Sequence, residues 1–107
     1  MIDLNFLYDA IEDALVGVGS ISHPEVLSSE ILQKAIASRQ MAAQKLAFLV
    51  NFIKGYLSAY PSDKRELMRN YLKTQLEDRL YRPNYIAEYQ TNWRNFLEAA
   101  FGQTRRQ

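Results

Sequence analysis

The stretch between Pro24 and Gly55 contains no proline or glycine, and its apolar residues recur three and four positions apart. This spacing predicts an amphipathic helix. Only four glycines and three prolines occur in the 107 residues, and they lie mostly between the apolar segments. No run of alternating β-branched residues indicates a strand. The sequence therefore predicts an all-α fold, organised as a single domain because about 100 residues is the usual size of one.

The glycines and prolines separate four apolar segments, and these segments predict a single-domain bundle of four main helices. Ser22, Pro24 and Glu25 match a capping box, which places the start of the second helix near residue 24. We expect residues 1–102 to form the helical bundle and residues 103–107 to form a basic, frayed tail. The predicted helices span approximately residues 3–16, 24–60, 63–81 and 84–101.

The second predicted helix is too long for a compact domain of this size. A continuous helix over 24–60 would measure about 54 Å, whereas the expected radius of gyration is about 13 Å. One solution is a break near 37–40, where Ser38 and polar neighbours interrupt the apolar stripe. The other is a straight helix that projects from the bundle and is buried by another protomer. We favour the break, and regard the straight helix as a route to oligomers.

Several classes of function are disfavoured by composition. The chain has no cysteine and one histidine, His23, so cysteine metal clusters and paired-imidazole sites are excluded. There is no Gly-x-Ser-x-Gly element and no phosphate-binding loop. We predict a protein that is not an enzyme, with no catalytic residue, cofactor, metal or small-molecule substrate.

The location of the protein is predicted from its apolar segments. The most apolar stretch, Leu46 to Ile53, is far shorter than the roughly 20 residues of a membrane span. The first residues lack the basic region of a secretory signal. We expect a soluble, cytoplasmic protein with no membrane partner.

The net charge of +1 conceals an uneven distribution. Residues 1–30 hold six acids and no Lys or Arg, a charge of −6, whereas residues 31–107 hold 13 bases and six acids, a charge of +7. The bases recur along the third predicted helix, beside Tyr81 and Tyr85 at its end, and in the tail. Such a stripe beside aromatic rings is a candidate nucleic-acid surface, although a solvated helix flank has the same pattern. The candidate residues are Lys64, Arg65, Arg69, Lys73, Tyr81, Arg82, Tyr85, Arg105 and Arg106.

The acids of the first helix form a second candidate surface. Asp9, Glu12 and Asp13 lie opposite its apolar side, no base in that helix relieves them, and Phe6 lies at their edge. The surface is either a solvated acidic flank or a docking site for a basic protein partner, with Phe6 as the anchor.

Three functions remain open. The first is a non-catalytic helical subunit that assembles with itself or with other proteins in a larger complex. The alternative is a small helical subunit that binds the nucleic-acid backbone in a nucleoprotein complex. The second alternative is an immunity or antitoxin-type inhibitor with an acidic docking face. A protein partner or self-association is expected in the first case, and nucleic acid in the second.

Overall fold

The computed structural model describes residues 3–79 and 87–102. Over these residues the chain forms four α-helices, one short 3₁₀ helix and no strand, which confirms the predicted all-α bundle. The third helix ends at Asp78, three residues before its predicted end near 81. The predicted start of the fourth helix near 84 and the tail lie outside the described residues. The helices are α1 Leu4–Gly17, α2 Ser29–Ser58, α3 Ser62–Asp78 and α4 Ala87–Phe101, and the 3₁₀ helix is η1 Pro24–Val26.

The predicted start of the second helix is wrong, because α2 begins at Ser29. η1 ends after one turn, and Leu27 follows it in extended conformation with ψ 145°. His23, before Pro24, lies in the left-handed region with φ 50°. The actual cap is Ser28, whose Oγ accepts a hydrogen bond from the backbone N–H of Ile31 at 3.2 Å. The predicted capping box therefore marks a short turn, and a second serine starts the helix.

The predicted break near 37–40 is also wrong, since α2 is one uninterrupted helix of 30 residues. Ser38 and Gln40 are exposed to solvent, where polar side chains do not disturb a helix that lacks glycine and proline. The helix is about 45 Å long. The molecule is accordingly elongated, with extents of 54 × 30 × 28 Å and a radius of gyration of 16.0 Å.

The core lies between α1, α4, the second half of α2 and one side of α3. At its centre Trp93 of α4 meets Tyr8 edge-on, with ring centroids 5.8 Å apart, and stacks on Phe96 at 6.4 Å. The first buried residue of α2 is Ala42. The half of α2 before it extends past the core.

The directions of the helices follow from their contacts. Glu88, near the start of α4, bonds Ser20 beside the end of α1, and Phe101 lies near Leu57 at the other end of α2. Helix α4 thus runs parallel to α2, and α1 runs in the opposite sense. A Cβ atom on Gly17 would stand 2.7 Å from the Cβ of Ala42, so α1 and α2 approach very closely there.

Candidate interaction surfaces

The predicted basic stripe on α3 includes two arginines that bind backbone carbonyls. Arg65 donates from Nε to the carbonyl oxygen of Leu57 at 3.2 Å and from Nη2 to that of Tyr60 at 2.9 Å, at the end of α2. Arg69 donates from Nε to the carbonyl oxygen of Phe101 at 2.8 Å, in the last turn of α4. Carbonyls at a helix C-terminus lack partners within the helix. The two arginines therefore close the ends of two other helices.

The net charge of α3 is lower than the regular recurrence of its Lys and Arg residues suggests. Lys64 is exposed and Lys73 is half-buried on α3, while Tyr81, Arg82, Tyr85, Arg105 and Arg106 lie outside the described residues. Helix α3 carries four bases and four acids, so its formal charge is zero. The nucleic-acid surface stays an untested prediction, and Arg65 and Arg69 have donors already engaged by carbonyls.

Truncating Arg69 to alanine should lower the free energy of unfolding by about 1.5–3 kcal/mol, the usual effect of losing a hydrogen bond from a charged group. The side chain is only 16% exposed, so water replaces the lost bond poorly. Urea unfolding followed by circular dichroism measures the change. Lys64→Ala, at an exposed position of the same helix, is the control and should stay within about 0.5 kcal/mol of the wild type. Equal effects of the two variants would contradict a stabilising role for the Arg69 contact.

The predicted acidic surface of α1 is partly outward-facing. Asp9 and Asp13 are exposed, and Phe6 is 72% exposed although it is a large apolar residue. Glu12 is half-buried instead, and its Oε2 accepts a hydrogen bond from the hydroxyl of Tyr8 at 3.2 Å. The structure thus places Phe6, Asp9 and Asp13 together on the outer side of α1 and Glu12 on its flank.

This outer side of α1 continues onto α2. Asp13 and Val16 line a shallow groove together with Met41 and Lys45 of α2. Farther along α2, Phe48 and Phe52 stack with ring centroids 6.5 Å apart and remain 67% and 44% exposed. We define the α1–α2 face as this set, which comprises Phe6, Asp9, Asp13, Val16, Met41, Lys45, Phe48 and Phe52.

A second exposed apolar region lies on the projecting half of α2. We define residues 29–40 as the α2 arm; none of them is buried. Ile31 and Ile36 are 54% and 43% exposed, and Val26 of the preceding η1 is 74% exposed. The apolar stripe that forms the core farther along α2 therefore continues into solvent.

The connection between α1 and α2 is tied to α4 by Ser20 and Glu88. The Oγ of Ser20 donates to Glu88 Oε2, and the backbone N–H of Ser20 donates to Oε2 at 3.2 Å and to Oε1 at 3.3 Å. These bonds, the side-chain bond first, hold the pKa of Glu88 below its ordinary value of 4.5, and the positive charge of Arg39 acts in the same direction. The ionised carboxylate is therefore favoured by folding.

Because the folded pKa of Glu88 is depressed, its contribution to stability is present above the ordinary pKa and lost as the pH falls through the lower, folded value. We expect Ser20→Ala to lower the melting temperature near pH 7, and the difference from the wild type to narrow below about pH 4. Thermal melts across this range test this, with Ser22→Ala as the control in the same connection. A difference that is independent of pH would contradict the assignment.

Metal-binding clusters and membrane-spanning helices are both absent from the part of the chain that the structure describes. No three His, Cys, Asp or Glu side chains there lie close enough together to bind a metal ion. No helix among those residues is long and apolar enough to cross a membrane. Comparison of the chain with protein-family models, curated proteins and solved structures finds no match.

Proposed function

We propose that this chain is a non-catalytic helical subunit that associates with itself or with other proteins in a larger complex. The observation that carries the proposal is the straight α2 arm, which leaves its apolar side chains in solvent. Single exposed apolar residues are common on monomers, but a contiguous exposed set usually marks an interaction site. Here the partly exposed Leu32 and Ala35 lie between Ile31 and Ile36 on one side of a helix that extends past the core, so the four side chains form a continuous apolar set.

The charge distribution supports a specific association. Helix α1 with its cap Asp3 carries four acids and no base, whereas α2 carries four bases and one acid. Complementary charges at the edge of an apolar contact orient the partners and raise the rate of association. The exposed apolar side chains supply the area that must be desolvated, and the charges fix the orientation.

Association can be tested with paired variants of α2. Ile31→Lys with Ile36→Lys adds two charges to the apolar side of the arm, and Ala37→Lys with Gln44→Lys adds two charges to the opposite side of the same helix. All four positions are exposed, so both variants should fold. The tagged wild-type chain should retain a protein partner in affinity purification, and only the isoleucine variant should lose that partner.

Two results would contradict the proposed function. One is a chain that is monomeric at all concentrations and retains no partner in affinity purification. The other is an association that both lysine variants weaken equally, since added charge alone would then explain the effect. Binding of a labelled oligonucleotide in low salt, lost on replacing Lys64 and Lys73 with alanine, would instead favour the nucleic-acid alternative.

A further inference from the structure

We infer that the α1–α2 face binds a second copy of the same chain, through a two-fold axis that runs lengthwise along the groove between α1 and α2. The inference rests on the proposed function and names the partner for this face. A lengthwise axis places α1 of each copy over α2 of the other. The contact is isologous, so every pairing occurs twice.

The charges of the face favour this partner. Asp9 and Asp13 lie on its α1 side, and Lys45 lies on its α2 side. None of these three side chains forms an ion pair with a described residue. A surface that is acidic along one edge and basic along the other is complementary to its own copy once the edges are exchanged.

The geometry of the groove brings these opposite charges to the same height. Asp13 and Lys45 line the same part of the groove from opposite sides. Rotation about an axis along the groove exchanges the sides and preserves the height. Asp13 of one copy therefore faces Lys45 of the other, twice in the dimer. A partner of uniform charge would match only one edge and would repel the other.

The apolar area of the face is sufficient for a dimer of ordinary size. A phenylalanine side chain contributes about 150–250 Å² when it is covered. From the exposed fractions of Phe6, Phe48 and Phe52, the three rings present roughly 350 Å² per copy. Val16 and Met41, which are 66% and 61% exposed, extend this area. With the charged edges, two copies reach the lower range of stable interfaces, about 1,200 Å² in total.

Charge-exchanged variants test the two-fold arrangement directly. The basic variant is Asp13→Lys, and the acidic variant is Lys45→Glu. Both positions are exposed, so circular dichroism should show folded chains. We expect the wild type to reach twice its mass of 12.4 kDa in light scattering as concentration rises. Each variant alone should dimerise at least about tenfold more weakly, and an equimolar mixture of the two should regain the dimer.

The apolar part of the face is tested separately. Phe48→Ala with Phe52→Ala should also raise the dimer dissociation constant at least about tenfold. The matched control is Leu67→Ala with Tyr71→Ala, which removes exposed apolar side chains from α3, outside the face. The control should dimerise like the wild type.

Failure of this inference is distinct from failure of the proposed function. A wild type that stays monomeric throughout, or a folded mixture that does not regain the dimer, overturns the two-fold contact. So does a dimer that the phenylalanine variant leaves intact. Partner retention that depends on Ile31 and Ile36 would survive each of these results, because those residues lie on the α2 arm and not on the α1–α2 face.

Discussion

Replacing Trp93 with alanine is expected to lower the free energy of unfolding by about 3–5 kcal/mol. The side chain is fully buried and packs against Tyr8 from α1 and Phe96 from its own helix. A domain of this size has a total stability of roughly 5–15 kcal/mol, so the variant should lose a large part of it. The cost arises from lost burial and from the cavity that the neighbouring helices cannot fill.

Trp93→Phe separates the packing of the ring from its polar atom. The Nε1 donor of Trp93 is buried and has no hydrogen-bond partner among the described residues. An unsatisfied buried donor costs about 1–3 kcal/mol. Phenylalanine removes this donor and preserves a ring beside Phe96, so we expect less than half the loss of the alanine variant. Urea unfolding followed by far-ultraviolet circular dichroism compares them, and an alanine variant as stable as wild type would contradict the core assignment.

Gly17→Ala is expected to destabilise the protein by about 1–3 kcal/mol, the range for overpacking a close contact. Helix propensity alone predicts the opposite sign, because alanine favours a helix over glycine by up to about 1 kcal/mol. The added Cβ would stand 2.7 Å from the Cβ of Ala42, and the two helices would have to separate. The sign of the measured change therefore reports whether α1 and α2 pack this closely.

A double-mutant cycle with Ala42→Gly identifies the contact. Alone, Ala42→Gly should cost about 1 kcal/mol through helix propensity. It also removes the atom that a Gly17→Ala side chain would strike. The double variant should therefore be at least about 1 kcal/mol more stable than the sum of the single changes predicts. Additive effects, measured by urea unfolding, would show that the two positions do not touch.

The number and type of helices could be predicted from the sequence, because periodicity and breakers are local properties. The ends of α2 were harder to predict. Ser22 and Ser28 are both acceptable caps, and the extended backbone at Leu27 decides between them. The break near 37–40 was inferred from the expectation of compactness. The polar residues there are exposed on a projecting helix, so nothing in the chain requires a break.

The candidate surfaces were predictable only in part. The position of Phe6 opposite the core stripe follows from helical spacing, and it is exposed. Phe48 and Phe52 occupy a stripe beside the core stripe of α2, so the spacing of the core residues gives no indication of them. The carbonyl contacts of Arg65 and Arg69 depend on which helix ends lie within reach of α3. That information exists only in the packed structure.

The position of α4 as the last helix of the bundle has a consequence for synthesis on the ribosome. Helix α4 supplies Trp93 and Phe96 to a core whose other parts, from α1, α2 and α3, are made first. A growing chain that has reached the end of α3 thus leaves exposed the apolar surface that Trp93 and Phe96 cover. Transiently exposed apolar surface favours aggregation. We expect this surface to stay open to association with other chains until residues 87–101 leave the ribosome.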